Sequence, residues 1–282
     1  TLLTLSLRSK CGLFKQGFGP FAPEVYRTAA PEPYRRPAGM TEDDYVDSCI
    51  RVLDRALVAQ IDPASLAAII IEPVQGEAGF IPMPARFLAR IRELCTQHGI
   101  VMIADEVQTG FGRTGKLFAC EHEGVTPDLM AIAKGLTGGF LPLAATLTTD
   151  AIFDAFLGAT ADGRQLFHGH SYTGNALGCA AALANLEIFE REPVLERVAQ
   201  RSEQLAKRLE ELRALPSVGD LRQRGLMVGT ELVRDRETRA RFAAEDRVGH
   251  WVCMAMRSRG IILRPLGDTL VLLPAHSVQP EE

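Results

Sequence analysis

The chain has 282 residues, 46% of them hydrophobic, and a formal net charge of −4, enough for a large buried core with a smaller one beside it. That balance lacks the basic surface that nucleic acid or an anionic membrane requires, so small-molecule substrates are the expected partners. No run of about 20 apolar residues is present to span a bilayer, the start lacks the order of a signal peptide, and the six cysteines show no C-x-x-C spacing. That pattern argues against a zinc site or a disulfide framework and for reduced thiols in a cytoplasmic protein.

The chain opens without Met at Thr1, and both ends read as cuts. Leu2 to Leu7 reads as a strand. Residues 20 to 45 are rich in proline and form an irregular surface excursion, after which a helix runs from about Glu42 to Ala59. Ala67 to Ile71 reads as a buried strand, Pro84 to His98 as a helix and Ile100 to Ala104 as another buried strand, a β-α-β unit with a parallel sheet. Strands near Leu129 to Ala133 and Leu143 to Leu147 follow, with helical segments at Asp150 to Leu157 and Gly174 to Arg191. The expected fold class is α/β, a mostly parallel sheet with helices on both faces. Beyond Glu192-Pro193 come a charged amphipathic helix (Val194 to Ala214), strands at Val218 to Arg222 and Met227 to Leu232, a helix (Asp246 to Arg259) and strands at Ile261 to Leu263 and Leu270 to Leu273. A boundary near residue 193 divides a large domain, 1–192, from a small α+β domain, 193–282.

Open α/β sheets bind ligands at the carboxyl ends of their strands, where three polar runs stand: Glu72-Pro-Val-Gln-Gly-Glu77, Asp105-Glu-Val-Gln-Thr-Gly-Phe-Gly-Arg-Thr-Gly115 and Lys134-Gly-Leu-Thr-Gly-Gly139. A lysine at a strand end commonly just reaches solvent. Lys134, however, is one of only five lysines in a chain with 31 Lys and Arg, and it follows an apolar strand, where burial lowers an amine's pKa and makes it a nucleophile. Asp105 either caps a loop by accepting backbone N–H groups or keeps a pyridine nitrogen protonated so that the ring acts as an electron sink. An amine 29 residues further on favours the second reading.

Asp105 to Gly115, Ala133-Lys134-Gly135 and the Glu-Pro-Val-Gln-Gly-Glu segment together resemble the signature of the class III aminotransferases, fold type I enzymes dependent on pyridoxal 5'-phosphate. The resemblance implies that Asp105 pairs with the pyridine nitrogen, Val107 packs on the ring face, Gln108 bonds the phenolic oxygen, and Lys134 forms the Schiff base and then acts as acid and base. It also implies that Ser171, where the family has Thr, reaches the phosphate of a neighbouring subunit, so a homodimer with shared sites is expected. His168 and His170 make a poor metal pair at i, i+2 spacing in a loop. The family's phosphate-cradling loop and ring-stacking aromatic are expected before Thr1, and the segment alone is expected to bind the cofactor weakly or not at all.

Within the family, Leu141 to Thr149, His168 to Asn175 and Leu263 to Asp268 look most like the 7,8-diaminononanoate synthases of biotin biosynthesis, which aminate 8-amino-7-oxononanoate with S-adenosylmethionine or lysine as donor. That likeness gives Arg264 the substrate's carboxylate. Glu77 points instead to enzymes acting on ornithine, acetylornithine, 4-aminobutyrate or β-alanine, some of which gate an arginine with this glutamate. The position of that arginine here is Val271, so Glu77 is expected to meet Arg264 or the donor's amine. A pyridoxal-phosphate-binding regulator without activity is a third reading, disfavoured by the presence of Lys134, Asp105 and Gln108.

Overall fold

The computed structural model describes residues 2–282. Leu2–Leu7 and Cys11–Phe14 form short helices, α1 and α2. The expected strand over Leu2 to Leu7 is therefore incorrect. Buried Ser6 explains the helix, since its hydroxyl donates one turn back to the Leu2 carbonyl at 2.7 Å and also accepts the Ala22 N–H at 2.9 Å.

Helix α3 (Glu42–Ala59) starts where its chemistry says it should: the Thr41 side chain accepts the Asp44 N–H at 3.2 Å, and three acidic residues occupy the first turn. Its apolar stripe, Val46, Cys49, Leu53 and Leu57, repeats at helical spacing. After it come strands β1 (Ala68–Ile71), β2 (Val74–Gln75) and β3 (Ile81–Pro82), helix α4 (Ala85–His98), and strands β4 (Val101–Asp105), β5 (Leu129–Ile132) and β6 (Ala145–Thr148). The stripes of α3 and α4 close over β1 and β4 in one buried cluster containing Phe87, Leu88, Ile91, Leu94 and Met102.

The first sheet runs β1-β4-β5-β6, parallel except for the antiparallel β6. As an edge strand β1 is only half-buried, with Ile70 exposed, rather than the buried strand expected; all four residues of β6, the other edge, are exposed. Helix α5 (Asp150–Ala155) precedes α6 (Ala176–Arg191), whose Ala182 packs with Phe111, Ile132 and Leu136 in a separate cluster.

Helix α7 (Val194–Leu209) leads into β7 (Val218–Arg224), β8 (Met227–Leu232), α8 (Val248–Arg257), β9 (Arg264–Leu266) and β10 (Thr269–Leu272). These strands form a second, antiparallel sheet in the order β7-β8-β10-β9. The expected strand at Ile261 to Leu263 lies three residues further on, because the Gly267-Asp268 turn sets the register Leu266↔Thr269 and so fixes β9 at Arg264–Leu266. The sheets are fastened to each other. Arg222 Nε donates to the Gly79 carbonyl at 2.8 Å, the Leu226 N–H donates to the Arg113 carbonyl at 3.0 Å, and the Arg113 guanidinium donates to the Pro274 carbonyl.

Candidate active site

The registers Ile71↔Ala104 and Asp105↔Ala131 align the carboxyl ends of β1, β4 and β5. Glu72, Asp105 to Gln108 and Lys134 therefore leave the sheet along one edge. Asp105 is half-buried, and its Oδ1 accepts the Val107 N–H at 3.1 Å. One oxygen thus caps the loop, while Oδ2 makes no hydrogen bond among the described residues. Glu106, the next residue, points the opposite way and is fully buried, accepting the Ala119 N–H at 3.0 Å, the Cys120 N–H at 2.8 Å and the Thr109 hydroxyl. It anchors the loop that presents Asp105, Val107 and Gln108.

Lys134 opens a 3-10 turn, Lys134–Thr137, with φ of +47°. A non-glycine residue in the left-handed region costs on the order of 1 kcal/mol and persists only where its surroundings hold it. The holding groups are Asn185 on α6, whose Nδ2 donates to the Gly135 carbonyl at 2.9 Å, and Phe111, whose Cβ would lie 3.0 Å from a Cβ placed on Gly135. The expected burial of this lysine is not found. Its side chain is exposed and makes no hydrogen bond or ion pair among the described residues, because no described element covers the edge of the sheet there.

Glu72 joins this group. Its Oε2 accepts the Gly76 N–H at 2.8 Å, and a Cβ on Gly76 would lie 1.9 Å from Gln108 Oε1. Only glycine allows the Gln108 amide to come so close. Burial raises the Glu72 carboxyl above its ordinary value; the Gly76 N–H opposes this, Asp105 adds to it, and Lys134 offsets it. Sequence reasoning missed Glu72 as a site residue although it stands in the same motif as Glu77.

Glu77 and Arg264, far apart in the chain, form an ion pair at 2.8 Å. Burial nudges the Glu77 carboxyl up, but the hydrogen bond and charge of Arg264, with Lys10 and Arg8, hold it below its ordinary value. Arg264 pairs across the ladder with Val271, which is buried against Val74, Phe80 and Met227. Ser171 lies in an exposed turn before α6 and makes no hydrogen bond to Asp105, Gln108 or Lys134.

A family model described as aminotransferase class-III matches residues 1–282. The chain belongs to the class III aminotransferases. It is 49% identical over 271 residues to the adenosylmethionine-8-amino-7-oxononanoate aminotransferase of Nitratidesulfovibrio vulgaris, covering 96% of this chain and 50% of that relative. The solved enzyme of the same name from Methanocaldococcus jannaschii superposes with a TM-score of 0.78 at 40% identity, covering 88% of this chain and 56% of that one. An ω-transaminase from Pseudomonas jessenii in complex with PMP superposes with a TM-score of 0.93 at 32% identity, covering 99% and 61%. The chain spans about half the length of the curated relatives it matches. Its fold is that of the class III transaminases, an α/β architecture.

The side chains at the sheet edge fit pyridoxal phosphate. An aldehyde needs a primary amine, which Lys134 has; a protonated pyridine nitrogen needs a carboxylate oxygen, which Asp105 Oδ2 offers; a phenolic oxygen needs a donor, which the Gln108 amide supplies. The close approach at Gly76 leaves room for the Gln108 side chain beside the end of β1.

Proposed function

We propose that this class III aminotransferase uses pyridoxal phosphate to aminate 8-amino-7-oxononanoate, giving 7,8-diaminononanoate for biotin biosynthesis, with S-adenosylmethionine or lysine as donor. The observation that carries the chemistry is the convergence of Lys134, Asp105 and Gln108 on one sheet edge. The substrate rests on the likeness to relatives of that name and on Arg264.

When bound, the cofactor supplies an aldehyde that accepts the amino group and a ring that delocalises the electron pair of a broken C–H bond. Asp105 Oδ2 would hold the proton on the ring nitrogen, Val107 would pack against the ring face, and Gln108 would donate to the phenolic oxygen. Lys134 Nζ, displaced by the incoming amine, would take the proton from the donor's α-carbon and later return one to the carbon of the new amine. Arg264 would clasp the carboxylate at the far end of the acceptor in a bidentate pair, moving Glu77 aside.

A homodimer with shared sites belongs to this reading, with Ser171 reaching the phosphate bound by its partner. Phe140, Leu166, Phe167, Tyr172, Leu177 and Leu183, which flank Ser171 and the end of the Lys134 turn in the chain, are between 63% and 90% exposed. Apolar side chains left open in such number support an interface there.

The test is an assay of the purified full-length protein on 8-amino-7-oxononanoate, with S-adenosylmethionine and lysine as parallel donors and 4-aminobutyrate as control. The visible absorption of bound pyridoxal phosphate is expected to vanish in Lys134→Ala. Persistence of that absorption, or turnover of 4-aminobutyrate alone, would overturn the proposal.

A further inference from the structure

Three cations gather on Glu77, and the proposed substrate contact uses only one of them. Arg264 reaches the Glu77 carboxylate at 2.8 Å, while the Lys10 ammonium donates to the Glu77 main-chain carbonyl from the linker between α1 and α2. Arg8, whose guanidinium lies over the Phe14 ring at 3.9 Å, is the third. The linker is itself fixed. The Phe14 N–H donates to the Lys10 carbonyl at 3.2 Å, and Arg27 Nε donates to the Arg8 carbonyl at 3.3 Å. Lys10 and Arg264 thus grip the two ends of one glutamate, a span comparable with the Debye length of about 8–10 Å. An ammonium has three N–H donors. The Glu77 carbonyl takes one from Lys10, and the other two meet no acceptor among the described residues, on a side chain open to solvent. Like charges this close repel, and a second carboxylate arriving beside Glu77 relieves that repulsion.

We propose that Lys10 is the second cation of the subsite that receives the acceptor's carboxylate: Arg264 clasps the two oxygens and Lys10 sets a point charge beside them, which favours a keto substrate ending in a carboxylate over one ending in a neutral group. The inference rests on the function proposed above and on Arg264 as the carboxylate's partner. Lys10 suits the task because its hold is on the main chain of Glu77. When the Glu77 side chain leaves Arg264 to the substrate, that hold is untouched and the ammonium stays where it is. A guanidinium supplies a fork of fixed geometry and an ammonium a compact charge with rotatable donors, so the two cations complement each other on one carboxylate. The competing reading makes Lys10 a tether that pins the Glu77 turn to the α1–α2 linker, a role that needs its N–H but not its charge.

The experiment measures kcat and KM of the purified full-length protein and of its Lys10→Gln and Lys10→Arg variants, at low and at high salt. The substrates are 8-amino-7-oxononanoate and its methyl ester, whose far end is neutral. Glutamine can still donate to the Glu77 carbonyl but carries no charge, whereas arginine keeps the charge. An exposed cation facing a carboxylate changes affinity by up to about fivefold. In Lys10→Gln at low salt the KM for the acid therefore rises about three- to fivefold with kcat unchanged, and the KM for the ester does not move. Lys10→Arg lies closer to the unmodified protein than to Lys10→Gln. High salt closes the gap between Lys10→Gln and the unmodified protein, because it screens exposed charges. An unchanged acid KM in Lys10→Gln, acid and ester KM values that rise together, or equal losses in Lys10→Gln and Lys10→Arg would each overturn the inference while leaving the proposed function intact. Should the ester not react, the salt series decides alone, and a gap that persists at high salt overturns the inference. Absence of turnover of 8-amino-7-oxononanoate by the unmodified protein overturns both.

Discussion

Arg264 and Glu77 make a pair whose value to the fold and value to the substrate should differ by an order of magnitude in equilibrium terms. Their side chains are 64% and 43% exposed, and an exposed ion pair contributes roughly 0–1 kcal/mol. Arg264→Ala should therefore shift urea-derived stability by less than about 1 kcal/mol. In the proposed reading a substrate carboxylate docked on the same guanidinium would gain charge-assisted hydrogen bonds worth about 1.5–3 kcal/mol. Their loss predicts a KM for 8-amino-7-oxononanoate raised about 10- to 150-fold, with kcat little changed, since a contact at the far end of the substrate is the same in ground and transition states. Glu77 would compete with it for that guanidinium, so Glu77→Gln should lower the same KM by at most about fivefold, the equivalent of about 1 kcal/mol. Steady-state kinetics on both substrates beside urea unfolding curves separate the effects. A variant of Arg264 that loses stability and keeps its KM would make the arginine a structural tie, and Glu77→Gln with unaltered kinetics would remove Glu77 from the site.

Glu106 is fully buried and accepts three hydrogen bonds. Glu106→Ala strands the Ala119 and Cys120 N–H groups, at about 1–3 kcal/mol each, so denaturant unfolding should show a loss of about 3 kcal/mol or more; a loss under about 1 kcal/mol would mean that the loop holds without its anchor. Burial, aided by the charge of Arg113, pushes the His276 imidazole down to about 4 from 6.5. The unfolded chain then takes up this proton first as pH falls, so stability declines from about pH 6.5 to about pH 4, by up to roughly 2–3 kcal/mol. Unfolding curves of His276→Asn should lack that part of the decline, and identical pH profiles for the two proteins would refute the assignment.

What could be read from the sequence followed from how local each feature is. Helix α3 was legible to the residue because Thr41, three carboxylates and the Val46-Cys49-Leu53-Leu57 stripe all lie within it, and β8 was legible because every residue of Met227–Leu232 is buried. Leu2 to Leu7 misled because apolar alternation states what a strand would bury without naming a neighbour to pair with; the Ala22 N–H bond that holds Ser6 in its buried place is tertiary. At the site, Lys134 and Asp105 could be found because each closes its own strand, whereas the exposure of Lys134 depends on what lies over the sheet edge. Glu77 and Arg264 are 187 positions apart, so their meeting could be entertained from charge alone but not established. It requires β9 to pair with β10 at Arg264↔Val271 and Arg222 to fasten β7 to the Gly79 carbonyl. Glu72 marks the limit most clearly. Its motif was visible, but its place near Gln108 depends on Gly76 having no Cβ, which lets the Gln108 amide into a space that any other residue would occupy. A neighbourhood allowed by an atom's absence leaves in the sequence only a glycine, and a glycine in a turn has many commoner explanations.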